Sequence, residues 1–144
     1  MAGYSGTPLP TKLGIKAGTR VLLDGAPLGF EDALLVPLPD SVTLLRRAGR
    51  TPYDVVVAFR TTRAALVRTF ARDVARTTTA GALWVVWPKK SAQRTPRNPD
   101  GVPSDLTEDV VREVALAAGV VDVKVCAVDE TWSGLKLVRR LADR

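Results

Sequence analysis

The sequence predicts an α/β fold, a mostly parallel sheet with helices on both faces that ends in a C-terminal antiparallel hairpin. Three observations predict it. Short apolar runs of strand type alternate along the chain with helix-type segments, the pattern of a sheet built by crossover connections. From Thr62 to Arg76, Leu66, Phe70 and Val74 recur every four residues, which gives a helix one apolar stripe to lay on a sheet. The last two apolar runs are separated only by Asp129-Glu130-Thr131-Trp132-Ser133-Gly134, a connection short enough to make them antiparallel neighbours.

The elements follow in order. Residues 1–19 are rich in Gly, Pro, Thr and Ser and form an N-terminal arm, which Leu9, Leu13 and Ile15 are placed to pin to the core. Residues 20–144 form a single domain. Arg20 to Ala26 is a buried strand closed by Gly25-Ala26-Pro27, and Phe30 to Val36 is a brief helix stopped by Pro37 and Pro39. Val42 to Leu45 is a second, shorter strand. Tyr53 to Phe59, with three consecutive valines, is the clearest strand of the chain. Gly81 closes the helical unit and Leu83 to Trp87 is the next strand, stopped by Pro88. Residues 89–103 read as an exposed Pro-rich loop. A helix starts at Asp105 or Thr107, with Glu108 and Asp109 in its first turn, Val110, Val111, Val114, Ala117 and Ala118 along one face, and Gly119 as terminator. Val123 to Val128 and Leu135 to Leu141 complete the sheet. One step conflicts with an all-parallel order: only Arg46 to Pro52 join the second and third strands, whereas a parallel crossover normally takes a dozen residues or more. Either the second strand is very short or it runs antiparallel.

Composition excludes several chemistries. The 144 residues include no histidine and one cysteine, Cys126, so a Ser-His-Asp triad, a Cys-His pair, an imidazole-ligated metal and an internal disulfide are all impossible within one chain. Cys126 reads as a packing residue of its strand. No apolar run approaches the length of a membrane span, and residues 1–8 lack the basic start and apolar stretch of a secretory signal. A soluble protein of the cytoplasm, with no membrane partner, is the expectation. The net charge of +6 favours polyanions in general but reads first as a solvated surface.

With the elements placed, Lys16-Ala17-Gly18-Thr19-Arg20-Val21-Leu22-Leu23-Asp24-Gly25-Ala26 resembles the approach and first strand of class I S-adenosylmethionine-dependent methyltransferases. Tyr53-Asp54-Val55-Val56-Val57, the helix after it and Gly81-Ala82-Leu83-Trp84-Val85-Val86 look like the fourth strand, helix and fifth strand of that fold, and the terminal hairpin is similar to its last two strands. The resemblance implies a minimal Rossmann-like, methyltransferase-like architecture over most of residues 16–141. It also implies three functional features, each replaced here. The glycine-rich first loop is Gly25-Ala26-Pro27-Leu28-Gly29-Phe30, the acidic residue at the end of the second strand is Arg46-Arg47, and the motif after the fourth strand of the family is Phe59-Arg60-Thr61. The chain also resembles a narrower group of small bacterial proteins grouped only as a domain of unknown function. Gly3-Tyr4-Ser5-Gly6-Thr7-Pro8-Leu9, Trp87-Pro88-Lys89-Lys90, Asp105-Leu106-Thr107-Glu108 and Lys124 to Leu135 carry that likeness, which implies no activity.

In an open α/β sheet, ligands bind beyond the carboxyl ends of the parallel strands, where the strand order reverses. That rule selects four loops: Asp24 to Phe30, Phe59 to Thr62, Trp87 to Lys90 and Asp129 to Gly134. The candidate ligand-binding residues are Asp24, Gly25, Gly29, Arg60, Lys89, Lys90, Asp129 and Trp132. Lys89 and Lys90 are point charges for a phosphate or carboxylate. Asp129 and Glu130 are candidate acid or base groups, and Trp132 is a stacking surface; the plainer alternative is a hairpin turn with Trp132 covering core. Asp24 marks a ligand site or caps its own turn. Arg63, Arg68, Arg72 and Arg76 form a basic helical stripe, a surface for nucleic acid or simply a solvated face. No catalytic or metal-ligating residue stands out, and the cofactor is left open. Three functions follow. The first is a non-catalytic or weakly catalytic module holding a small anionic or nucleotide-like ligand at the carboxyl edge. The second is a divergent methyltransferase, and the third a module that docks a protein or, less favoured, a nucleic acid.

Overall fold

The structure, a computed structural model, describes residues 6–144. Residues 3–5, which open the first phrase shared with the narrower group, lie outside the described residues. In chain order the elements are α1 (Leu9–Lys12), β1 (Arg20–Asp24), α2 (Phe30–Leu34), β2 (Thr43–Leu45), β3 (Tyr53–Phe59), α3 (Arg63–Ala75), β4 (Thr77–Pro88), α4 (Glu108–Ala117), β5 (Val120–Ala127) and β6 (Trp132–Arg139), with 3₁₀ turns at Lys90–Ala92 and Leu141–Asp143. They form one six-stranded sheet of order β2-β1-β3-β4-β6-β5. β2, β1, β3 and β4 are parallel, and β6 runs antiparallel to both β4 and β5. No helix of the described residues is long and apolar enough to cross a membrane.

The valine run of β3 lies at the centre of the sheet, where both faces are covered and β-branched side chains pack without a polar side to satisfy. Val56 and Ala58 face one apolar layer with Leu66 and Phe70 of α3 and Val111 and Ala115 of α4. Val55, Val57 and Phe59 face the other, with Phe30 of α2 and with Leu9, Leu13 and Ile15 from α1 and the segment after it. Trp84, wholly buried on that second face, donates its indole N–H to the Leu13 carbonyl at 3.1 Å and fastens the N-terminal segment to the sheet.

The short second crossover is explained by the length of β2. That strand has three residues and pairs Arg20↔Thr43 to Leu22↔Leu45, in parallel, so the chain must retreat only about 10 Å to reach the level where β3 begins. Residues 46–52 span that distance easily when extended.

Several boundaries differ from the sequence reading. β1 stops at Asp24 because Gly25 takes a φ of +76°, and α2 ends at Leu34. β4 starts at Thr77, and Gly81 lies inside it: a side chain there would approach the Asp54 carbonyl to 2.8 Å, beside the register shift between Tyr53 and Val55. Glycine at this point permits close backbone approach rather than ending a unit. β5 and β6 are longer than expected, and both begin three residues earlier. On α4, Val111 and Ala115 are buried while Ala117 and Ala118 are exposed, so the inward stripe is narrower than the sequence suggested. Residues 89–103 are exposed or half-buried yet folded on themselves, with Arg94 N–H on the Val102 carbonyl at 2.9 Å and the Asn98 side chain on the carbonyls of Ser91 and Gln93.

Candidate functional site

The strand order reverses between β1 and β3, since the chain steps from β1 outward to β2 and returns to β3 on the other side of β1. The carboxyl ends at this switch point are Asp24-Gly25 and Phe59-Arg60, the place where an open sheet leaves a crevice.

Arg60 fills the α3 side of the switch point. It is 8% exposed, and its guanidinium donates to Asp24 Oδ2 at 2.6 Å, Asp73 Oδ2 at 2.8 Å, the Phe59 carbonyl at 2.9 Å and Thr69 Oγ1 at 3.0 Å. Asp73 on α3 is 1% exposed. Its Oδ1 accepts no hydrogen bond and lies 3.5 Å from Arg72 and 3.7 Å from Arg76, which also approach Asp24. Buried charges persist only when paired in this way. Asp24 therefore neither caps its own turn nor faces open solvent alone. The basic stripe of α3 is largely spent within the chain as well, because Arg63 pairs with Glu113 at 3.8 Å.

Above β1 and β2 a second arginine closes the edge. Arg46, the first residue after β2, holds both oxygens of Glu31 at 2.6 and 2.7 Å and donates to the carbonyls of Ala26 and Pro27 at 2.9 and 2.8 Å. Glu31 is in the first turn of α2, where the helix dipole favours a carboxylate. Hydrogen bonding from Arg46, then from its own backbone amide, lowers its pKa to about 2. A carboxylate thus stands at the end of β2 after all, carried by α2 and aimed by Arg46.

The other side of the switch point is aromatic. Phe30, Phe59 and Trp132 meet edge to face, with ring centroids 5.0 and 5.1 Å apart, a favoured geometry for such pairs. Asp129 sets the turn beneath Trp132: its Oδ1 accepts the backbone N–H groups of Thr131 and Trp132, each at 2.8 Å. Lys89 N–H donates to the Thr131 carbonyl at 2.8 Å and ties the end of β4 to the same turn. Lys89 and Lys90 line a cavity of about 520 Å³ with Trp87, Leu106 and Ser133, over the N-terminus of α4, whose Glu108 and Asp109 carboxylates share the lining. Gly29 is the residue before α2, with a φ of +79°.

Of the predicted residues, the structure brings Asp24 and Arg60 into direct contact, with Gly25 against the Phe59 carbonyl, where a side chain would approach to 3.1 Å. It joins Asp129 to Trp132 and places Lys89 and Lys90 on a separate cavity. Glu31, Asp73, Phe30 and Phe59 were missed as site residues. Asp73 was legible in principle, because it falls on the stripe of Leu66 and Phe70, and a carboxylate at a core position requires a buried cation.

No family model matches the chain, and no curated protein matches it. Solved structures do match. The chain is similar to the DhpI-SAH complex structure (TM-score 0.62, 14% identity, 92% of this chain and 82% of that one). It is similar to a putative type 11 methyltransferase from Sulfolobus solfataricus (TM-score 0.61, 12% identity, 94% and 92%). It also matches the mitomycin 7-O-methyltransferase MmcR (TM-score 0.61, 11% identity), covering 85% of this chain but spanning about half, 49%, of that one. At these identities the likeness concerns the fold: the chain has the mixed α/β, Rossmann-like fold of the S-adenosylmethionine-dependent methyltransferases.

Proposed function

We propose that the chain is a divergent methyltransferase that takes an S-adenosyl ligand at the switch point between β1 and β3. The observation that carries this reading is the carboxylate of Glu31, ionised and aimed by Arg46 at the end of β2, one residue from the aromatic floor of Phe30, Phe59 and Trp132. A carboxylate has about four acceptor sites, so the two bonds from Arg46 leave capacity for ribose hydroxyls, and Trp132, half-buried over the buried rings of Phe30 and Phe59, is the aromatic surface left for the adenine ring. The first loop fits the amino-acid end of the ligand less well. Gly25 allows close approach, but the carbonyls of Ala26 and Pro27 are engaged by Arg46 and Pro27 has no N–H. The sulfonium of the bound ligand supplies an activated methyl group; the residues of this chain bind and orient. Lys89, Lys90 and the cavity beside Ser133 suit an acceptor bearing a phosphate or carboxylate.

Calorimetric titration with S-adenosylhomocysteine tests the reading. Saturable binding weakened about tenfold or more by Glu31→Gln, the scale of one lost charge-assisted hydrogen bond, and left alone by Arg68→Gln is the expected result. No heat at millimolar ligand overturns it.

A second reading has its own support. Lys89 and Lys90 face the N-terminus of α4 across the 520 Å³ cavity and, although Glu108 and Asp109 share its lining, the two lysines and the helix end offer an anion a seat whether or not an adenosyl group binds. Stabilisation by phosphorylated ligands in a thermal-shift screen, lost in Lys89→Ala/Lys90→Ala, with no response to S-adenosylhomocysteine, selects this alternative.

A further inference from the structure

The outer half of the sheet is covered unequally. On the α4 side, Arg112 reaches Asp122 of β5 at 2.9 Å and balances its charge. On the opposite face the row running outward from the buried Trp84 is Lys136 and then Lys124, which are register partners: Trp84↔Lys136 on β4 and β6, Lys124↔Lys136 on β5 and β6. Cross-strand partners project from the same face, and like charges directly opposite each other destabilise an antiparallel pair. The N-terminal segment adds Lys12 and Lys16 to this face. Two hollows result, each with one lysine from that segment and one from the hairpin. The first, about 270 Å³, has Lys16 and Lys136 on its walls, with Gly14, Thr78 and Asp54. The second, about 250 Å³, has Lys12 and Lys124 beside Val125 and Cys126. Asp54 is the carboxylate of the first hollow, and its Oδ2 accepts the Arg20 N–H at 2.9 Å.

We infer that this face binds the phosphate backbone of a nucleic acid, with successive phosphates seated in the two lysine hollows. Charge complementarity selects the partner. Four lysines from three segments converge on one face, and their fields are felt there: burial, then Lys124 and Lys16, lower the pKa of Lys136, and Lys12 and Lys124 both act on the Cys126 thiol, whose pKa burial raises. A strand pair that sets like charges opposite each other is relieved by an anion between them. Lysine, a strongly hydrated point charge, suits phosphates read without sequence preference. A membrane surface is the poorer occupant. Val121 and Val138, which share the face, are half-buried, Leu13 in the first hollow is buried, and no aromatic side chain lines either hollow to insert among lipids.

The test is fluorescence anisotropy with a labelled single-stranded 20-mer and a duplex of the same sequence, over a salt series, using the full chain. Binding is expected to fall steeply with salt, and Lys124→Gln/Lys136→Gln is expected to weaken it about tenfold or more and to reduce the log–log salt slope by about 1.4 for the single strand. Arg68→Gln, on the other face, leaves it unchanged. Because the double variant removes a like-charge pair, its melting temperature stays equal or rises, which separates lost binding from lost folding. Absence of binding at 50 mM salt, equal loss in Arg68→Gln, or retention on vesicles of phosphatidylserine and phosphatidylcholine without retention of either oligonucleotide overturns the inference. The adenosyl titration above is independent of all of these outcomes.

Discussion

Arg46 and Arg60 both follow the carboxyl ends of strands and both hold carboxylates, yet one works in solvent and the other in the core. The side chains of Arg46 and Glu31 are 36% and 25% exposed, whereas those of Arg60 and Asp73 are 8% and 1% exposed. In solvent a charge pair adds little to stability, because water and salt screen it. In the core, breaking a pair strands a charge that water can no longer reach. The buried cluster therefore fixes where α3 lies on the sheet, and the exposed clamp shapes the edge at small energetic cost. The same residue type serves architecture at one strand end and the candidate site at the next.

The largest test of this contrast is Arg60→Ala. It removes the hydrogen-bonded partner of Asp73, leaves the carboxylate only the longer contacts to Arg72 and Arg76, and is expected to cost up to ~3–5 kcal/mol in chemical denaturation. Replacing both partners by apolar residues, Arg60→Met with Asp73→Leu, is expected to recover most of the loss, since the pair is then removed rather than broken. If Arg60→Ala unfolds no more easily than Arg46→Ala, the distinction fails. Next in size is Gly25→Ala, with a φ of +76° and a new methyl group 3.1 Å from the Phe59 carbonyl. A loss of ~1–3 kcal/mol is expected by denaturant titration, combining left-handed strain with the contact.

Arg46→Gln should lower stability by at most ~1 kcal/mol while weakening adenosyl-ligand affinity through the freed Glu31, a separation of effects that calorimetry and melting read together. The smallest effect is acid titration of the clamp. The Glu31 carboxyl is held at about 2 against an ordinary 4.5, so its stabilisation is complete above pH 4.5 and fades as pH falls toward 2. The melting temperature of the wild type should therefore drop slightly more across that window than that of Arg46→Gln. Identical acid slopes would show that the clamp contributes nothing.

Much of the fold was legible because it rests on patterns the backbone enforces. The valine run of β3, the four-residue repeat of Leu66 and Phe70, and the helix start at Thr107, one of the two starts expected, all follow from local chemistry, and Thr107 does accept the N–H three residues on, as does Thr62, which the sequence reading put inside its helix. Gly81 was misread because close approach of the Asp54 carbonyl, not chain termination, requires it, and no local pattern distinguishes the two. At the candidate site, the loops were legible from strand order, but the partners within them were not. Arg46 meets Glu31 across 15 residues and Arg60 meets Asp24 across 36; such pairings exist only after the sheet has formed. The absence of an acid at the end of β2 pointed away from an adenosyl site, and only the structure places the acid of α2 there.

The three-residue length of β2 has a consequence beyond the crossover it explains. A foreign strand laid against β2 would find too few N–H and C=O groups to form more than a token ladder. At the far side of the sheet, the irregularity between Asp122 and Lys124 interrupts β5 midway, with the Lys124 ammonium beside it. Short, kinked and charged borders are how natural sheets avoid recruiting further strands from neighbouring molecules. By this measure the sheet is built to stop at six strands, and lengthening β2 at its Arg46 end would invite fibrous association as well as opening the clamp.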